Sequence, residues 1–323
     1  MKKPLLKLVF LGLFLSSCSS FNRVAINSAS DLLYKAASAV ETESNIDMLR
    51  LSLPGNLTLI EGLLSESKNN EEILATLTKG YAGFAYAINE TDLLIDQWEG
   101  KSDLYNKQQA LINYTKAVNF GIRYLKEKNI DFYDLKTKAN DSAVVMHIFD
   151  KNLTDKKMDL ETVMFTAQSL GSMINLQKDN IGLVAELPLV KSMFDWICMK
   201  NPSLYYGTCD IFNGMYEAGR PKMLGGNPEK GKDIFLKAIS KHPHNWLIRV
   251  AFIQFYLVPQ LDEEGFKVQM NTLKELHEPF TNSQIYSVEK NNYEWSREEH
   301  LRFFQSLAMK RYELLEKYKA KLF

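Results

Sequence analysis

Apolar residues recur at helical spacing along almost the whole of this chain, and that feature excludes most folds. The stretches EEILATLTKGYAGFAYAI (71–88), QQALINYTKAVNFGIRYLKEK (108–128) and DLETVMFTAQSLGSMINLQ (159–177) each place them at i, i+3, i+4 and i+7. That period buries one face of an α-helix. Strand-like alternation bounded by turns is nearly absent. Breaks in the pattern fall at Pro54-Gly55, SKNN (67–70), WEGKSD (98–103), KTKANDS (136–142), Pro202, GRPKMLGGNP (219–228), Pro243 and HEPFTNS (277–283), all rich in residues that end helices. The expected class is all-α.

The helices also resemble one another. SDLLYKAAS (30–38), ALINYTKAV (110–118), VKSMFDWIC (190–198) and GKDIFLKAI (231–239) share one order of residue types. A small or branched residue comes first, an aromatic follows four later, and Ala or Ile three after that. The aromatics are Tyr34, Tyr114, Phe194 and Phe235, spaced by 80, 80 and 41 residues, and Pro202 and Pro243 stand eight beyond the last two. These offsets match the second helix of a tetratricopeptide repeat. The small residue admits the partner helix, the aromatic fills the gap between repeats, and the proline ends the helix. Gly80, Gly171, Gly214 and Ala251 are the matching small residues of the first helices. The reading is a superhelical array of degenerate tetratricopeptide-like helix–turn–helix repeats.

Within it, PKMLGGNPEKGKDIFLKAISKHP (221–243) tests a different idea, a glycine loop around a phosphate. Such a loop needs GxxxxGK[ST] after a strand, with the hydroxyl on magnesium. Here Gly231-Lys232 is followed by Asp233 and no strand precedes it. Asn227-Pro228-Glu229 reads instead as a helix start, with an Asn cap, Pro at the first helical position and an acid in the first turn. The stretch is a hinge.

The N-terminus has its own logic. Lys2, Lys3 and Lys7 flank LVFLGLFL, an apolar run of eight residues. It is too short to stay as a membrane-spanning helix, and it reads as a signal peptide over residues 1–17. It ends in Leu15-Ser16-Ser17-Cys18, which resembles the bacterial lipobox. The resemblance implies diacylglycerol on the Cys18 thiol, cleavage before it and acylation of the new amine; the other reading is a plain signal peptide with a chance cysteine. Residues 18–27 are then a lipidated tether and 28–323 the repeat array. Ser19, where Asp would signal inner-membrane retention, favours the outer membrane and a periplasm-facing protein. No later apolar run reaches transmembrane length. Lys and Arg total 39 against 39 Asp and Glu, so nothing suggests a nucleic-acid partner, which needs a basic excess.

Candidate chemistry is sparse. Five histidines are scattered, and the nearest to a metal pair, His242 and His244, reads as a solvated helix end, favoured there by the macrodipole. No nucleophile, metal-ligand or paired-aspartate motif appears, so no enzyme, metal or cofactor is expected. Phe165 and Ser169 on one helix, with Tyr206, Phe212 and Tyr216 on a later one that also holds Tyr205, are the candidates to line an apolar channel; the alternative is that these side chains fill the core between repeats. Cys198 and Cys209 sit about Asn201-Pro202-Ser203 at a helix–helix turn. They can face each other and oxidise in the periplasm, or remain two buried thiols.

GRPKMLGGNPEKGKDIFLKAISKHPHNWLIRVAFIQFYL (219–257) resembles the signature of the T-component lipoproteins of TRAP transporters, in which P-x-x-LGG-x-P-E-K-A leads into the final repeats. LPGNLTLIEGLLSESKNNEEILATLTKGYAGFA (53–85) is similar to the family's other marker. Gly231 stands where the family has Ala, and 129–158 has no match. The resemblance implies an accessory transporter component, with the periplasmic solute-binding P component as partner. It further implies passage of small apolar organic acids and assembly as a homo-oligomer, a trimer. A structural envelope scaffold with no small-molecule ligand is the alternative.

Overall fold

The structure, a computed structural model, describes residues 24–288 and 293–323; Cys18 and residues 1–17, expected as a signal peptide, lie outside them. The described residues form helices and turns, with no strand. Helix α1 covers residues 24–37, so 24–27, expected as tether, already belong to it. There follow α2 (Ile46–Glu66), α3 (Glu71–Phe84), α4 (Glu90–Glu99), α5 (Tyr105–Glu127), α6 (Phe132–Thr137), α7 (Ser142–Asn152), α8 (Lys157–Leu176) and α9 (Ile181–Val184). The second half comprises α10 (Leu187–Lys200), α11 (Thr208–Gly219), α12 (Pro228–Lys241), α13 (Leu247–Phe252), α14 (Glu263–Ser283) and α15 (Arg302–Tyr318).

The starts of these helices are written in the sequence. Asn45, Asn70, Asp131, Asp141, Asn180, Asn227 and Asp262 each accept a backbone N–H of the first turn, a cap worth about 1 kcal/mol. Two expected breaks are absent. Pro54 lies inside α2 and Pro279 inside α14. Pro54 is exposed, so the carbonyl it leaves without a donor can bond water, while Leu49, Leu57 and Leu64 hold the opposite face in the core.

α3 packs on α5, α8 on α10 and α11 on α12, and α5 on α8 joins successive pairs. Two crossings depend on missing side chains. A Cβ at Gly121 of α5 would stand 1.9 Å from Thr166 Oγ1 of α8. Between α11 and α12 the need is mutual: a Cβ at Gly214 would meet the Phe235 ring at 2.8 Å, and one at Gly231 would meet the Ala218 Cβ and the Gly214 carbonyl at 2.9 Å. Phe235 is fully buried there. The stretch 129–158, outside both sequence markers, supplies α6 and α7, and α7 docks on α10 through Phe149 and Trp196, ring centroids 5.2 Å apart. A disulfide joins Cys198 of α10 to Cys209 of α11, with Cα atoms 5.8 Å apart.

Two features were not visible in the pattern. The ladder slips into single π-turns at Ala85–Asn89, between α3 and α4, and at Ile253–Leu257, after α13; such turns free a carbonyl from the α ladder. The last helix, α15, returns across the array. It packs on α13 and α14 and also on α2 and α4, bonding Ser306 Oγ to the Ser44 carbonyl at 2.6 Å.

Candidate functional site

Helices curved around a common axis leave their concave side unfilled unless large side chains close it. Here they do not. A cavity of about 1810 Å³ runs through the interior, walled by α2, α3, α8, α10, α11, both π-turns and α15. Small-molecule sites span roughly 300–1,000 Å³, so this one exceeds the needs of a single small ligand. Its lining is largely apolar, with Phe165, Phe194, Phe212, Phe255, Phe303 and Phe304 contributing rings. Its charged lining residues are Lys79, Lys107, Lys178, Arg220, Lys222 and Arg311 against Glu41 and Glu90, with Lys79 and Arg220 also paired to Glu161 and Glu217 outside the lining. A chain of balanced charge therefore carries a cationic cavity.

Two polar stations interrupt the apolar wall. At the first, Glu161 of α8 is 1% exposed and accepts a hydrogen bond from the Tyr34 hydroxyl at 2.6 Å and another from Tyr205. Lys79 Nζ lies 2.7 Å from Glu41 Oε1 and 3.4 Å from Glu161 Oε1, and Lys157 reaches the same two carboxylates at 3.7 and 3.4 Å. Two carboxylates and two ammonium groups cancel, as buried charges must. Burial first, and Glu161 second, push the Tyr34 and Tyr205 hydroxyls far above the usual phenol range, so both remain donors. Burial disfavours the charge on Lys157, but Glu161 and Glu41 outweigh it and raise its pKa. Tyr205 occupies the left-handed region at φ 48°, held by Glu161 and by ring contacts with Phe165 at 5.5 Å and Phe304 at 6.0 Å.

At the second station Arg311 of α15 is 2% exposed and lines the cavity. Its Nε donates to Thr91 Oγ1 at 3.2 Å, one terminal nitrogen to Gln254 Oε1 at 3.3 Å, and the other to the Tyr86 carbonyl at 2.7 Å. Tyr86 and Gln254 belong to the two π-turns, so both irregularities converge on one guanidinium. The Tyr86 ring lies beneath it at 4.3 Å. Glu90, nearby, accepts from the Tyr114 hydroxyl at 2.5 Å. Burial raises its carboxyl pKa, partly offset by Arg311 and by hydrogen bonds from Tyr114 and Ser172.

Of the candidates read from the sequence, Phe165, Phe212 and Tyr216 line the cavity. Phe212 is stacked on Phe194 at 3.8 Å, and Tyr216 lies 5.7 Å from Phe212. Ser169 does not line it; it is fully buried within α8 and its hydroxyl has no partner. Tyr206 turns away and packs on His300 at 4.3 Å. Tyr205 and Tyr206 are not on the helix of Phe212: Leu204–Tyr206 is a separate 3-10 turn that ends at Gly207, φ 110°. Lys79, Gln254 and Arg311 escaped the sequence reading, which also misplaced Tyr205 on the helix of Phe212. Arg311 had a signal, since it falls between Leu307 and Leu315 at four-residue steps, where an apolar residue belongs.

His242 needs correction as well. It is largely buried against Gly207 rather than solvated, and burial lowers its pKa. Among the described residues no group of three or more His, Cys, Asp or Glu is placed to hold a metal. None of the described helices is long and apolar enough to cross a membrane.

No curated protein matches the chain. The family model of the TRAP transporter T-component matches residues 42–278, from the turn before α2 into α14, and leaves α1 and α15 outside. The chain belongs to the TRAP transporter T-component family.

Proposed function

We propose that this T-component is a lipid-anchored, periplasm-facing protein that binds the transporter's periplasmic solute-binding P component. Small apolar organic acids pass between the two through its cavity. The observation that carries this reading is the cavity itself, large, apolar and cationic, inside a member of a transport family. An apolar wall accepts a hydrocarbon body, and unbalanced cations draw anions from solution. The lipobox residues ending in Cys18 support an anchor, and Ser19 supports outer-membrane sorting.

The test is direct binding. The full chain in lipid nanodiscs, titrated by biolayer interferometry with the solute-binding protein encoded beside it, should give a Kd near micromolar, about −8 kcal/mol. A component that passes its ligand onward gains from exchange, so tighter binding is not expected. A folded chain with no affinity for any co-encoded solute-binding protein would end the transporter reading and leave an envelope scaffold.

A further inference from the structure

We infer that Arg311 is the anion-recognising residue of the cavity, and that the ligand it takes is a monoanionic amphiphile, one carboxylate head on an apolar body. The inference rests on the reading of the cavity as a ligand site.

Arg311 makes no ion pair, although Glu90 is near enough to feel its charge. Arg311 is 2% exposed, and a guanidinium cannot shed its proton inside a protein. Buried charges are paired or else costly. Yet every hydrogen-bond acceptor it meets is neutral, and among the described residues no carboxylate comes within 4 Å of it. Glu90 lies beyond that distance, occupied with Tyr114, and burial favours its uncharged form. The missing counter-charge can come from the cavity that Arg311 lines.

The donor inventory fits a carboxylate. A guanidinium carries five N–H groups, and three are used. The second N–H of each terminal nitrogen can meet the two oxygens of one carboxylate, one of them in place of its contact with the Tyr86 side chain. The group is also held in place. Thr91, Gln254 and the Tyr86 carbonyl fix its plane and the Tyr86 ring supports one face, so little side-chain freedom is lost on binding.

The rest of the cavity selects the class. Lys107, Lys178 and Lys222 line it with no carboxylate within 4 Å among the described residues, which favours entry of an anion. Lys79 and Arg220, the other largely buried cations of the wall, are already paired, Lys79 with Glu41 and Glu161 and Arg220 with Glu217 at 3.7 Å. One guanidinium therefore serves the head, which suits a single negative charge better than a doubly charged phosphate. The phenylalanine wall receives the body.

The test compares two probes of equal size, 4-phenylbutyrate and 4-phenylbutanol. Both are titrated calorimetrically into the full chain in neutral detergent. The wild type should bind the acid at least tenfold more tightly than the alcohol, about 1.4 kcal/mol. Arg311→Gln should abolish that preference and leave the alcohol affinity within twofold. Gln254→Glu keeps the arginine but sets a carboxylate beside it, and should cancel the preference too, which keeps the idea testable if Arg311→Gln does not fold. Equal affinities in the wild type, no binding of either probe, or a preference that survives Gln254→Glu would overturn the inference. Titrating the solute-binding protein into the same samples separates the two readings. Partner binding without acid preference sinks the Arg311 assignment alone. Acid preference without partner binding sinks the transporter reading alone.

Discussion

Replacing Gly121 by alanine should destabilise the protein, although alanine is the better helix former by about 1 kcal/mol. The reason is the α5–α8 crossing. The new Cβ would lie 1.9 Å from Thr166 Oγ1, 3.0 Å from Thr166 Cβ and 3.1 Å from its Cγ2. Thr166 cannot step aside by rotating. Its Oγ1 donates to the Thr162 carbonyl at 2.7 Å, and because the side chain is branched, turning it brings the methyl into the same space. Either the hydroxyl bond is lost, at about 1 kcal/mol, or the helices separate, at roughly 1–3 kcal/mol for an overpacked core. A contact as short as 1.9 Å puts the overpacking at the upper end of that range, so after the gain in helix propensity Gly121→Ala should cost about 1–2 kcal/mol. In a Thr166→Ala background only the Cβ contact remains, tight but adjustable by a small shift. There Gly121→Ala should be neutral or mildly stabilising. Urea unfolding of the wild type, both single variants and the double variant, followed by far-UV circular dichroism, closes a double-mutant cycle. The expected coupling is about 1.5 kcal/mol or more in favour of the double variant. Additivity within about 0.5 kcal/mol, the behaviour of independent sites, would refute the packing described for this crossing.

Three further outcomes are expected. Replacing Cys198 and Cys209 together by serine should cost about 2–4 kcal/mol in urea unfolding, as for a native disulfide closing a short loop, and reductant should shift the wild type alone. Glu90→Gln should stabilise the protein at pH 7 and change nothing near pH 4. Because the folded-state pKa of Glu90 lies above its ordinary 4.5, the unfolded chain releases this proton first, and wild-type stability falls as pH rises from there through the folded pKa. A melting temperature that drops at pH 7 in Glu90→Gln would mean that Glu90 is an ionised partner of Arg311, and would count against the anion site as well. Cys18→Ser should leave the chain unprocessed or soluble in detergent partitioning; unchanged membrane association would reject the lipid anchor.

How much could be read from the sequence depended on how local each signal was. Helix starts were legible because Asn and Asp caps act on the next three residues, and Asn227 behaves as expected, accepting from the Lys230 N–H. Phe235 was legible because a small residue and an aromatic at a crossing form a recurrent pair, here with Gly214. Pro54 misled because it is exposed, so the carbonyl it leaves without a donor can bond water while the buried face of α2 carries the helix through. Tyr205 and Tyr206 misled because left-handed backbone at a residue other than glycine leaves no mark in composition. Ser169 shares a helix face with Phe165, yet α8 is buried from Asp159 to Leu170 around much of its circumference, so periodicity cannot separate cavity from packed core. The Arg311 station needs two π-turns and a helix from the far end of the chain to meet, and no window of the sequence contains that.

The return of α15 also sets an order of events. A stack of helix pairs that touch only their neighbours can gain or lose pairs one at a time. This one cannot finish that way, because Arg311 bonds Thr91, Tyr318 bonds Glu99 and Lys321 bonds the Trp98 carbonyl, each across more than 215 positions of chain. A polypeptide delivered from its N-terminus presents the first helices long before these partners arrive. Their apolar inner faces stay wet until the final twenty or so residues emerge. Contacts so distant in sequence form slowly, which makes the interval before closure the time when the chain is most open to self-association. A stop codon just before Arg302 would make that interval permanent, although only the last few helical turns would be missing.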